Sequence, residues 1–204
     1  MNVVPVTLDG EFVRLEPLDL DRHFQGLCEV GLHPDLWRWT VAAIRTPDDL
    51  RGYLETAIRE REEGRSLPFA TISRATDMPI GSTRFGNIDR ENRRVEIGWT
   101  WLGRDWWRTA ANTEAKLLML THAFETWRVQ RVELKTDAMN ERSRAAILRI
   151  GAKEEGIFRK HMVTETGRRR DSAYYSIIDD EWPAVKTGLI EKLAAHRADA
   201  QRGV

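Results

Sequence analysis

The sequence predicts a mixed α/β fold, one domain over all 204 residues. Three observations predict it. Short segments that alternate apolar and polar residues, as half-buried strands do, are interleaved with segments whose apolar residues recur at helical spacing. The run from Val95 to Gly156 reads strand, turn, helix, strand, helix without interruption. No repeat, low-complexity stretch or linker divides the chain, whose length is ordinary for a single compact unit.

Taken in order, residues 11–16 alternate as a strand, with Phe12, Val13 and Leu15 as β-formers and Gly10 before them. Pro17 ends it, and Asp19 or Asp21 is placed to cap a helix running toward Val30. A Trp-rich polar loop, residues 33–40, follows. Thr46-Pro47-Asp48-Asp49 is a helix start: a cap residue, Pro at the first position, and acids where the helix dipole favours them. Leu50, Leu54, Ala57 and Ile58 hold helical spacing until Gly64. Residues 67–73 and 79–88 are predicted strands around a turn at 75–78, and Glu91-Asn92-Arg93 turns the chain into the strand 95–102. A turn at 103–112, a helix at 113–127, a strand from Arg131 ending in Asn140 and a helix from Glu141 to Ile150 come next. Residues 157–163 and 173–178 read as strands around 165–169. The last predicted helix is 179–193, capped by Asp180 with Pro183 in its first turn, and the tail from Ala198 is expected to fray.

The bulk properties exclude several classes. Thirty-two basic residues balance thirty-two acidic ones, so the global basic face of a nucleic-acid binder is missing. The local run Arg168 to Arg170 reads as a solvated hairpin tip. The single Cys28 rules out an internal disulfide and supplies no metal-type spacing, which fits a reducing cytoplasm and no metal site. The N-terminus has no basic region leading into an apolar core, as a signal peptide would. No apolar stretch approaches the roughly 20 residues that cross a bilayer, so no membrane partner is expected.

A strand that passes its chain to a helix across a short turn presents free backbone N–H groups, which suit a phosphate. Here the strand 95–102 hands over in that way, and the next strand ends in Asn140 with Ser143 three residues later on a new helix start. That order resembles the acyl-CoA core of the GNAT superfamily of N-acetyltransferases, and within it the RimJ/RimL-like branch. Arg108, Thr109, Asn112, Thr113, Glu114, Ala115 and Lys116 match an R-T-x-x-N-T-E-A-K form of the pyrophosphate loop. Over about residues 10–180, the resemblance implies a mainly antiparallel sheet whose two central parallel strands splay apart, with the thioester in the gap. It implies acetyl-CoA as co-substrate and transfer of an acetyl group to an amine, a protein N-terminus or a small amine, by direct attack in a ternary complex. Splayed strands leave backbone groups unpaired, and these suit strand addition by the peptide-like pantetheine arm. Homodimers are common in the family resembled, and the sequence does not decide that point.

The family motifs carry over unevenly. The usual loop is Gln or Arg, two residues, Gly, any residue, then Gly or Ala. Aligned on Thr113-Glu114-Ala115, Trp107 takes the first position and Ala110 and Asn112 take the small-residue positions, so both glycines are missing. Glycine normally permits close approach of the backbone to an anion. Asn112 reads instead as a helix N-cap whose side chain can also turn to the ligand, with Arg108 adding charge. The resemblance thus implies a co-substrate site on Arg108, Thr109, Ala110, Ala111, Asn112 and Thr113, continued along Gly98, Trp99 and Thr100. Asn140 would hold the pantetheine, though it also reads simply as a helix cap. Many members carry a Tyr farther along that helix. Leu148-Arg149-Ile150-Gly151 stands there instead, which leaves Ser143 as the nearby hydroxyl to serve as acid or thiolate hydrogen-bond donor.

An amine with a pKa near about 10 is mostly protonated at neutral pH, so a proton acceptor helps. Glu96, two residues before Gly98, is the first candidate base, unless it faces solvent on the open side of the sheet. His161, whose ordinary pKa lies near about 6.5, is the second. Glu114 reads as a support for a helix N-terminus. Trp37 and Trp39 in the first inter-helix loop, with Trp101, Trp99 and Phe85 on the sheet, form either core packing or an aromatic acceptor cup. Readings of another class remain: an inactive acyl-CoA binder of this fold, or a module that uses the Trp-rich surface for protein contacts.

Overall fold

The computed structural model describes residues 1–202. In chain order the elements are strands β1 (Leu8–Asp9) and β2 (Val13–Pro17), helices α1 (Leu20–Gly31) and α2 (Pro47–Glu62), and strands β3 (Leu67–Ser73), β4 (Pro79–Asp89) and β5 (Arg94–Leu102). Helix α3 (Ala110–Thr121), strand β6 (Arg131–Asp137), helix α4 (Glu141–Arg149), strands β7 (Lys153–Val163) and β8 (Arg169–Ile178) and helix α5 (Trp182–Arg202) complete the chain. The strands form one sheet in the order β1-β2-β3-β4-β5-β6-β8-β7. Every neighbouring pair is antiparallel except β5 and β6. This is the mixed α/β, mainly antiparallel architecture expected. Among the described residues, no helix is long and apolar enough to cross a membrane.

Local chemistry sets most boundaries. Asp19 caps α1 by accepting from the Arg22 N–H. Thr46 and Asp49 close a reciprocal capping box at the head of α2. Helix α3 departs from expectation: it starts at Ala110, three residues early, because Thr109 is its cap and accepts from the Ala111 N–H. Asn112 is therefore the third residue of the helix and not its cap. The helix widens into a π-helical turn, His122–Thr126, before β6. At the other end α5 starts at Trp182, later than predicted, and continues to Arg202.

The sheet separates two cores. On one face Val13, Phe69, Phe85, Val95 and Ile97 pack with Ala115 and Met119 of α3 and Leu189 of α5. On the other Leu18, Ala70, Ile72 and Trp101 meet Leu27 of α1 and Leu50 and Leu54 of α2. Phe85 thus belongs to the α3 side, fully buried against Phe69 and Trp127. It is not part of an acceptor cup, since alternation along β4 turns it away from Trp99 and Trp101. Glu114 is buried too, and its carboxylate accepts the N–H groups of Glu11, Phe12 and Val13. It clamps the start of β2 onto α3, a role no local pattern announces.

Candidate active site

Strands β5 and β6 pair at only three positions, Arg94 with Arg131, Val95 with Val132 and Glu96 with Glu133. Beyond them β6 keeps β8 as its partner through Asp137, while β5 bends away. The bend is a β-bulge: Arg84 pairs with Gly98 and Ser82 with Trp101, so β5 carries one residue more than β4. Trp99 sits in the bulge at a φ of 50°, a left-handed conformation that bulky side chains seldom adopt. Neither Trp99 nor Thr100 has a ladder partner on β4. A cavity of about 1180 Å³ opens in the resulting gap.

One end of the cavity is cationic. Arg108 takes a φ of 64° and turns the chain into α3, the conformational task a loop glycine would otherwise perform. The first N–H groups of α3 lie just beyond, with no earlier helical turn to accept them. Arg108, Thr109 and Asn112 line the cavity, whereas the expected Ala110, Ala111 and Thr113 are buried and absent from its wall, with Thr113 Oγ1 accepting from Arg149 at 3.5 Å. Arg142 of α4 stacks at 3.6 Å on the Trp107 ring, and Arg149 also lines this end. Burial, then the neighbouring Arg104 and Arg108 guanidiniums, pull the Arg142 pKa below its ordinary value against the opposing Asp35. Such a cluster of like charges favours an anion between its members.

Asn140 caps α4, its Oδ1 accepting from the Ser143 N–H at 3.1 Å. Asn140 and Ser143 both line the cavity. Midway, Lys116 of α3 donates to Thr100 Oγ1 at 2.8 Å and Thr83 Oγ1 at 3.4 Å. Burial pushes its pKa down to about 7.

The other end holds Glu96, 2% exposed and so not on an open sheet face. Lys135 of β6 reaches its Oε2 across the gap at 2.9 Å, and Asn87 Nδ2 donates to the same oxygen at 2.6 Å. A Cβ on Gly98 would stand 2.8 Å from Glu96 Oε1. The missing side chain at Gly98 is what lets the carboxylate lie there. Trp37 is buried and donates through Nε1 to the Gly31 carbonyl, with Tyr53 and Trp101 against it at 5.3 and 5.5 Å. It is a wall of the cavity and not an exposed loop residue. Trp39 is half-buried, with the guanidiniums of Arg38 and Arg168 near its ring. Trp99 lies under Arg84, at 4.1 Å.

His161 stands apart. Its ring nitrogens meet Ser172 Oγ at 3.1 Å and Tyr174 Oη at 3.3 Å, and it is absent from the cavity wall. Burial, then Lys135 and Arg170, lower its pKa, with Glu96 opposing. The run Arg168 to Arg170 is not a solvated tip: Arg168 pairs with the buried Asp137, and Arg170 is 7% exposed and faces the cavity.

Sequence reading missed Lys135, Arg142, Arg149, Tyr53 and Arg170, and took Lys116 only as a motif letter. Lys135 is the sole one with a usable signal, since a parallel register of β5 on β6 would put it near Glu96. The others are brought in by elements distant in the chain.

A family profile described as an acetyltransferase (GNAT) domain matches residues 13–153. YdaF of Bacillus subtilis (strain 168), provisionally named a ribosomal N-acetyltransferase, is 31% identical over 84% of this chain and 92% of its own. The crystal structure of a GCN5-related N-acetyltransferase from Brucella melitensis superposes with a TM-score of 0.85 at 32% identity, covering 93% of this chain and 86% of that one. Mycobacterium smegmatis RimJ in complex with CoA-disulfide shares the fold, with a TM-score of 0.71 at 21% identity over 88% of each chain.

Proposed function

As a member of the acetyltransferase (GNAT) family the chain is an acetyl-CoA-dependent acetyltransferase, and we propose that its acceptor is an amine received at the Glu96 end of the cavity. The observation that carries this reading is the gap itself: one cavity runs from a cationic helix start to a buried carboxylate, past backbone that has no sheet partner.

The residues present fit acetyl-CoA. Arg108, Arg142, Arg149 and the free N–H groups of α3 suit its phosphates. The Asn140 Oδ1 is engaged by the cap, which leaves Nδ2 to donate to the pantetheine. Acetyl-CoA supplies the activated acetyl thioester, and the rest is the work of the chain. The bulged backbone at Trp99 and Thr100 offers N–H groups where negative charge develops on the acyl oxygen. Glu96 takes the amine proton, directly or through one water, while Lys135 and Asn87 fix its orientation. Ser143 is the hydroxyl available to the departing sulfur. His161 is the lesser candidate base, since both its nitrogens are engaged on β8. Trp37, Trp39 and Trp101 shape the acceptor end, and the relatives' names make a protein N-terminus one acceptor to test. The free Cys28 thiol fits a cytoplasmic setting.

Calorimetry with acetyl-CoA, followed by thiol release with a panel of peptide and small-molecule amines, tests the proposal. Binding and release are expected together. Binding without release for any amine would leave an acyl-CoA binder, and absence of binding would end the reading.

A further inference from the structure

Three buried side-chain polar atoms lack a hydrogen-bond partner among the described residues, and all three are donors: Arg84 Nε, Trp101 Nε1 and Arg170 Nε. They are not scattered. Trp101 and Arg170 line the large cavity, and Arg84 lines a neighbouring cavity of about 310 Å³ that shares Ala42, Tyr53 and Glu165 with it. An unpaired buried donor costs roughly 1–3 kcal/mol, more when charged. The two such donors on the wall of the large cavity, Trp101 Nε1 and Arg170 Nε, call for oxygen on the ligand.

Arg170 is the most telling of them. Its neighbour Asp137 already binds Arg168 and accepts the Met139 N–H at 3.0 Å. Arg170 Nε remains 3.9 Å from that carboxylate, beyond hydrogen-bond reach. Uncompensated burial pulls the Arg170 pKa down, with Asp137 opposing. Lys135 pairs with Glu96 and Arg168 takes the nearer place on Asp137, so Arg170 has no carboxylate within hydrogen-bond reach. Glu165, which also lines the cavity, is exposed and accepts the Ala43 N–H.

We infer that the acceptor amine carries a carboxylate, which Arg170 takes at the β6–β8 wall of the gap. This rests on the acetyltransferase reading and narrows it, because a planar guanidinium with a free Nε is built to bind a carboxylate through two parallel hydrogen bonds. A polyamine or other multiply cationic acceptor would leave the Trp101 and Arg170 donors unpaired and add repulsion at Arg170. The carboxylate has two sources, the α-carboxyl of a free amino acid or the acidic side chain of a peptide's first residue.

Product-like probes separate them without requiring turnover. To the protein saturated with CoA, N-acetylphenylalanine and its amide are titrated by calorimetry, as are the amides of N-acetylaspartate and N-acetylasparagine. We expect the carboxylate member of one pair to bind at least about tenfold more tightly than its neutral partner, the range for a charge-assisted pair. A preference in the first pair assigns a free amino acid, and one in the second an acidic first residue. Arg170→Gln should erase the preference with CoA affinity retained, and Arg170→Lys should keep part of it. Equal binding within both pairs, or no measurable binding of any probe, overturns the inference, as does a preference that survives in folded Arg170→Gln. Failure of CoA itself to bind would instead sink the acetyltransferase reading, so the two failures are told apart by the first titration.

Discussion

The two ends of the cavity are built in opposite ways. The cationic end is made by one stretch of chain, where β5 runs through Arg108 into α3, with the start of α4 beside it. What suits it to an anion is helix geometry and a few guanidiniums that surround open space. The acceptor end gathers Glu96 from β5, Lys135 from β6, Arg170 from β8, Tyr53 from α2 and Trp37 from a loop. There Glu96 is already paired with Lys135 and Asp137 with Arg168, while Arg170 has no carboxylate within hydrogen-bond reach. An end that binds a ligand common to a whole family can be local, while an end that selects its ligand has to be assembled from several elements.

The sharpest break between the ends is expected from Glu96→Gln. It keeps size and hydrogen bonding but cannot accept a proton, so turnover should fall by on the order of 10²-fold or more. CoA affinity should stay near wild type, since the cationic end is untouched. His161→Gln should do less. A variant pair with these effects reversed would move the base to His161.

Lys116 lies between the ends and links stability to pH. Burial holds its native pKa at about 7, below its ordinary value of 10.5, so the unfolded chain binds more protons between those values. Stability therefore rises with pH across that window and is lost again as pH falls toward 7. Lys116→Met should be relatively most stable at pH 7 and below, with the advantage shrinking by a few kcal/mol as pH nears 10.5. Urea unfolding at pH 7 and pH 10 measures it. A difference that stays constant would mean the native lysine is charged.

At the cationic end, Arg108→Ala should weaken CoA binding about tenfold, the worth of one charge-assisted contact, without changing the acceptor preference. Calorimetry reads the first and the amine panel the second. Unchanged affinity would move the phosphate site off this turn. The smallest effect is expected from Asn140→Asp. Asp caps as well as Asn, so the melting temperature should hold while CoA affinity drops several-fold through loss of the Nδ2 donor. Equal affinity would leave Asn140 as a cap and nothing more.

The same contrast decides how much could be read in advance. Thr46–Asp49, Asp19 and Asn140 are caps that act over three residues, and each was legible as such. The approach to α3 was legible as a strand–turn–helix but not in detail. Thr109 outcompeted Asn112 for the cap because Arg108 adopts a positive φ, a conformation that no pattern of apolar residues encodes. Phe85, Trp99 and Trp101 could be placed on a sheet, but not on its faces. The bulge at Trp99 and the alternation of β4 fixed those, with Phe85 sent to the α3 core.

The order of elements from β2 onward, the caps of α1, α2 and α4, and the strand–turn–helix that leads into α3 were readable along the chain. These follow from interactions that span at most one or two turns of chain. Tertiary structure alone decided that Glu96 is buried and held by Lys135, that Glu114 clamps β2, and that Arg170, in a run that looked solvated, is withdrawn into the cavity wall. Burial and charge pairing depend on which distant segments share a face, and the sheet register sets that.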